Sequence, residues 1–229
     1  MLAQLPRRQV WDPTSIPGSI FQIDGEYIVR GQQILSGTLM GPSVCVGQEM
    51  FLGPVRTKDY LRIKIDSIHG PVRNPVPVLH DANAGCFKIR FRGEKLKRNQ
   101  IHSGMVLVDK MSLVQPFTCW QFECKLRILN HRTMISHREK KDGSWEECRY
   151  APVLQCGAVK QSAQIVLLKK DQVLKTGSDE IVQFHFLFHP EFLLPGWEVI
   201  IREGDTQGRG TITKVFPLEE ARPTKIRPR

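Results

Sequence analysis

Alternation of apolar and polar side chains marks the elements of this chain. From Gln121 to Leu129, Phe122, Cys124, Leu126 and Ile128 fall on one face, and Glu123, Lys125 and Arg127 on the other. That is the period of a strand with one buried side. Leu61 to Asp66 repeats it, with Leu61, Ile63 and Ile65 inward and Arg62, Lys64 and Asp66 outward. So does Phe87 to Arg92, with Phe87, Ile89 and Phe91 set against Lys88, Arg90 and Arg92. Ile181 to Phe188 is rich in β-branched and aromatic residues. Val182, Phe184, Phe186 and Phe188 are expected on its buried face, and Ile181, Gln183, His185 and Leu187 on the other. Glu198 to Ile201 predicts a further strand. Glu203 to Gly210, with its three glycines, predicts a tight connection, and Thr211 to Val215 the returning strand.

Phe21 to Asp24 and Glu26 to Val29 read as a strand pair kinked at Gly25. Gln33 to Leu39, Met105 to Val108 and Ile165 to Leu168 add further strands. Gly41-Pro42, Gly47 and Gly53-Pro54 are turn signals. Only Leu96 to Ile101 reads as a helical turn. Short strands with turn residues between them predict an all-β barrel or sandwich rather than a βαβ fold. Residues 1–19 read as a linker or tail, Lys110 to Pro116 as a boundary, and residues 218–229 as a basic, disordered tail.

A chain of 229 residues with 41% hydrophobic content builds one large or two ordinary domains. No apolar run is long enough to span a bilayer, and the N-terminus has no signal-peptide core. The expectation is a cytoplasmic protein with no membrane partner. Its six cysteines form no Cys-x-x-Cys pair and are expected to be reduced. The net charge of +10 points to a polyanionic partner, or else to a basic surface that is merely solvated.

The stretch KTGSDEIVQFHFLFHPEFLLPGWEVIIREGDTQGRGTITKV, from Lys175 to Val215, holds three features in order. They are a Thr-Gly turn, a strand closing on Pro, and an Arg-Glu-Gly hairpin ending in Gly-Thr-Ile. Upstream stand His131, Thr133, Ile135, Tyr150, Cys156-Gly157, Lys160-Gln161 and Ala163. On these residues the chain resembles the third domain of elongation-factor-Tu-like translational GTPases, closest to the eukaryotic GTP-binding protein 1 and 2 class. IDGEYIVRGQQILSG, from Ile23 to Gly37, resembles the opening of that family's second domain through Ile23-Asp24, Tyr27, Gly31 and Ser36-Gly37. Its turn differs, being one residue shorter, with Gln32-Gln33 at the family's Gly-Thr step. Gly104 to Val108 resembles the strand after a basic segment, here Lys95 to Arg98.

The resemblance implies two antiparallel β-barrels in tandem, residues 20–112 and 113–217. It implies an RNA partner, of the tRNA kind, in translation or RNA surveillance, with the ribosome as a further partner. The family's second domain cups the aminoacylated end of tRNA, which makes Tyr27 and Arg30 candidate contacts. Its third domain approaches the tRNA stem, which makes candidates of Arg132, Arg138, Lys140, Lys141, Arg149 and Lys160, joined by Arg209. Asp205 stands where close relatives carry an Arg, and is expected to repel phosphate.

No Gly-rich loop ending in Gly-Lys-Ser/Thr occurs, and no Asn-Lys-x-Asp. Asp205-Thr206-Gln207-Gly208 matches the Asp-x-x-Gly switch pattern by chance. The chain is therefore expected to be no enzyme by itself and to hold no cofactor. GTP and magnesium would belong to a nucleotide domain elsewhere in a parent GTPase. No catalytic, nucleotide-binding or metal residue is assigned. Cys119 and Cys124, with His131 and His137 nearby in sequence, are expected on opposite strand faces. His185 reads as a satisfied, partly buried histidine. Trp145 either stacks on a base or anchors its loop, and the anchor is favoured. Lys88, Arg90 and Arg92 fit an RNA contact or a solvated face equally. The competing class is a protein-interaction module that docks a nucleotide domain, a ribosomal protein or an RNA-decay partner.

Overall fold

The computed structural model describes residues 18–55, 60–93, 96, 100–109, 118–139 and 145–218. Among them there is no helix, and every strand pair is antiparallel. No helix of these residues is long and apolar enough to cross a membrane. The boundary, most of the linker, most of the basic tail and most of the expected helical turn lie outside the described residues; Ser19, at the end of the linker, is buried. Leu96, Gln100 and Ile101, which are described, are not helical.

Seven strands make the N-terminal sheet: β1 (Ile20–Val29), β2 (Gln32–Met40), β3 (Glu49–Gly53), β4 (Leu61–His69), β5 (Ala84–Phe91), β6 (Val106–Val108) and the two-residue Pro75–Val76, which pairs with the end of β4 at the edge of the sheet. The order runs β3-β6-β1-β2-β5-β4, and β3 also pairs with β4, so the sheet returns to its start. The expected strand pair at Phe21 to Val29 is one strand. Ile23 faces Gly37 and Gly25 faces Ser36, which leaves Asp24 as the extra residue of a β-bulge. Ser36 Oγ donates to the Asp24 carboxylate, so the bulge is held by its own side chain. Inside, Phe21 stacks on Phe87 with ring centroids 4.1 Å apart, beside Leu35, Ile63 and Ile65.

The C-terminal unit is a closed six-stranded barrel. It consists of β7 (Gln121–Asn130), β8 (Val153–Cys156), β9 (Val159–Val166), β10 (Asp179–Phe186), β11 (Glu198–Glu203) and β12 (Thr206–Phe216). Their order is β7-β10-β9-β8-β11-β12, and β12 returns to β7. Closure leaves no barrel strand with an unpaired edge. Phe122 packs against Phe184 and Phe186 at 5.3 and 5.4 Å, and the expected inward set Phe122, Cys124, Leu126 and Ile128 is buried.

Three expectations are corrected here. Phe188 is 68% exposed, because β10 ends at Phe186 and the side-chain alternation ends with it. His185 is buried on the side read as polar, where Trp120 stacks over it at 5.9 Å. Its Nδ1 has no hydrogen-bond partner, so it is not a satisfied histidine. The connection read at Glu203 to Gly210 is only the Gly204-Asp205 turn, since Glu203 already pairs with Thr206. Gly208 and Gly210 lie inside β12.

Sheet and barrel share a core. Ile20, Met40, Val106 and Val108 belong to the same apolar cluster as Cys119, Phe192 and Val159. Polar contacts tie the joint. Tyr60 Oη and Thr118 Oγ1 are 2.6 Å apart, Ser103 Oγ donates to the Ala158 carbonyl at 2.6 Å, and the Ala158 N–H donates to Gln22 Oε1 at 3.3 Å. Gly157, at φ +57°, sits where a Cβ would strike the Gln22 side chain.

Candidate nucleic-acid interface

The barrel's register builds a basic row that no single segment encodes. Arg127 on β7 stands opposite Arg209 on β12, and Arg209 opposite Ile200 on β11. Ile200 stands opposite Gln155 on β8, and Gln155 opposite Lys160 on β9. All five are exposed, so they share the outer wall. At about 4.8 Å per strand the row is about 19 Å long. Arg202, also exposed, lies two residues beyond Ile200. Among the described residues Arg127, Lys160 and Arg209 form no ion pair. Exposed Asp179 of β10 stands opposite Arg127 on its other side, so part of the positive field of the row is offset.

The expected contacts divide. Lys160 and Arg209 lie in the row. Arg132 is held by the Asp205 carboxylate and Arg149 by Glu146 at 2.8 Å, so both cations are already paired. Asp205 therefore acts on Arg132 directly rather than as a lone repulsive charge. Arg138 lies on a short strand, Arg138–Glu139, that pairs with Trp145–Glu146. Lys140 and Lys141 lie outside the described residues. The residues His131, Thr133 and Tyr150 build the barrel's end. His131 Nδ1 meets Thr206 Oγ1 at 2.7 Å, and the His131 N–H donates to Thr176 Oγ1 at 2.9 Å. Thr206 is buried in that network at the start of β12.

The row was partly legible. Alternation placed Arg127 outward, but nothing in the sequence showed that it faces Arg209.

A second polar site lies at the β1–β2 hairpin. Arg30 (φ 50°) and Gly31 (φ 75°) are its two loop residues, both left-handed, as a type I′ turn requires. The shortened turn thus makes a tight hairpin, and holding a non-glycine there stores strain. Tyr27, Ile28 and Val29 are each at least half exposed on it. Beside it opens a cleft of about 380 Å³ lined by Gly31, Gln33, Asp66, Lys88, Arg90 and Phe91. Arg90 Nε and Nη2 donate to Asp66 Oδ2 at 3.1 and 3.0 Å. Gln33 is buried and donates to Glu26, while its Oε1 is without a partner.

No known protein-family profile matches the chain. In sequence the chain is similar to GTP-binding proteins. The chain is 32% identical over 209 residues to GTP-binding protein 1 of Xenopus laevis, which covers 91% of this chain and 29% of that protein. It is 28% identical over 196 residues to GTP-binding protein 2 of Mus musculus and of Homo sapiens, covering 85% of this chain and 30% of each. The chain thus spans about three-tenths of the length of these relatives.

Proposed function

We propose that this chain is the RNA-binding, two-barrel portion of an elongation-factor-like GTP-binding protein acting in translation or RNA surveillance in the cytoplasm. The parent would be a GTPase, with GTP and magnesium held by a nucleotide domain outside this sequence. The RNA is tRNA, and the ribosome is a further partner. The observation that carries this reading is the row Arg127–Arg209–Ile200–Gln155–Lys160. Backbone recognition needs charge and reach rather than base reading. The hairpin complements the row. Exposed Tyr27 offers a stacking face and exposed Arg30 a cation.

Changing Arg127, Lys160 and Arg209 together to alanine tests the reading. The log–log salt slope of tRNA affinity should flatten by about 2 to 3, at roughly 0.7 to 0.9 per phosphate contact. Lys225, Arg227 and Arg229 of the tail are the control. A triple variant with the parent's slope, and a tail variant without binding, would overturn it.

One observation favours the docking reading. Leu168, Val173 and Ile181 are exposed around Gln172, whose amide accepts from the Leu168 N–H at 2.8 Å and donates to the Ile181 carbonyl at 2.9 Å. An apolar spot so braced suits a nucleotide domain. In that case Ile181→Asp releases the domain and leaves RNA affinity unchanged.

A further inference from the structure

Where sheet meets barrel, three side chains distant in sequence converge. His102 comes from the turn before β6, and His189 and Glu191 follow β10. The two imidazole rings lie 3.9 Å apart by centroid, tilted by 33°. One ring nitrogen of each histidine and one Glu191 oxygen all fall within 4.8 Å of one another.

Glu191 is fully buried, which is unusual for a carboxylate and costly unless cations or donors meet both oxygens. Oε1 is met, since Gln161 Nε2 donates to it at 2.7 Å and His189 Nδ1 lies 3.1 Å away. Oε2 has no partner. Gly104 keeps the space open, because a Cβ there would stand 3.1 Å from Oε2.

The ligand atoms are also oriented. His102 Nδ1 lies 2.9 Å from the Ser103 carbonyl, which makes that nitrogen the N–H donor and leaves a lone pair on Nε2. Gln161 is fixed in turn: the Phe188 N–H donates to its Oε1 at 3.3 Å, and its Nε2 also donates to the His189 carbonyl at 3.1 Å. A carbonyl behind one histidine and an amide behind the carboxylate is the outer shell that metal ligands carry.

We propose that His102, His189 and Glu191 bind a divalent transition-metal cation of the zinc class, which clamps the N-terminal sheet onto the barrel. Two imidazoles and a carboxylate suit zinc, cobalt or nickel rather than calcium or magnesium. Tetrahedral ligands at about 2.1 Å from the ion stand about 3.4 Å apart, so the cluster closes by about an ångström on binding. Both histidines are half-buried, which leaves water access to the fourth position.

The test uses the whole chain, freed of metal by chelation and then titrated with zinc chloride and with cobalt chloride. One equivalent of cobalt should give the visible bands of four-coordinate geometry, and zinc should displace it. Zinc should also raise the melting temperature by several degrees, because it binds the native state alone. His102→Gln, at a half-buried turn position, leaves the cores intact and should lose the bands and the zinc-induced shift. Gln161→Leu should weaken zinc by about 10- to 100-fold. His80→Gln, outside the cluster, should change neither. Absence of a cobalt band in the parent chain, or equal zinc affinity in the parent and His102→Gln, would overturn the proposal and leave a buried His–Glu joint.

Discussion

Asp205 sets how much field Arg132 offers to an anion. The pair is exposed, with Arg132 83% and Asp205 50% accessible, so it contributes little to stability. Asp205→Asn should therefore leave the melting temperature unchanged and raise tRNA affinity severalfold at low salt, measured by fluorescence anisotropy. An unchanged affinity would remove Arg132 from the RNA face. His185 acts through pH. Burial holds its pKa below the ordinary 6.5. Above 6.5 both folded and unfolded forms are neutral. As pH falls below 6.5 the unfolded chain takes up a proton that the native chain refuses, so stability declines until the native pKa is passed. His185→Phe should remove that loss in urea titrations between roughly pH 6.5 and 5. At this scale the sequence told much about type and little about neighbours. Arg127 was visibly outward, but its approach to Arg209 depends on register. His185 looked like a polar-face residue because Trp120, which covers it, lies outside its own strand.

Elements were legible wherever one face is buried and the other wet. β7 shows this best, because its inward side meets the barrel interior and its outward side meets solvent. The first residues of β12 resemble a loop in sequence for a physical reason. Glycine ordinarily marks a turn, but here it permits close approach within a strand. A Cβ on Gly210 would collide with Cys124 Sγ and stand 2.5 Å from the Lys125 carbonyl oxygen. Gly210→Ala should destabilise the barrel by about 2 kcal/mol or more, read from urea unfolding. Gly204→Ala is the contrast. Its Cβ meets nothing within 4 Å, so only its φ of +54° opposes the change, at about 1 kcal/mol. The bulge at Asp24 was equally hidden. A glycine within an alternating run marks an irregularity, but a kink between two strands and an extra residue in one look alike from sequence.

For the molecule as a whole, the absence of a phosphate-cradling loop from the sequence makes a direct prediction. Calorimetry of this chain with GTP and magnesium should give no binding heat, since neither a nest of backbone amides nor a P-loop lysine is encoded. A micromolar, magnesium-dependent affinity would contradict it. The all-β character was legible from strand spacing. The joint was not: Gln22, Ser103 and Ala158, or His102 and Glu191, are brought together only by two separate foldings. That joint has a consequence for synthesis. Ile20, Met40, Val106 and Val108 pack into a core completed by residues of the barrel. The N-terminal sheet leaves the ribosome about a hundred residues before β12 does, or roughly 5 to 20 s at ordinary elongation rates. For that interval a nearly finished sheet carries an uncovered oily face. Slowing translation across the barrel's codons should lengthen the wait and divert more newborn chains into aggregates, although the finished protein would be chemically identical.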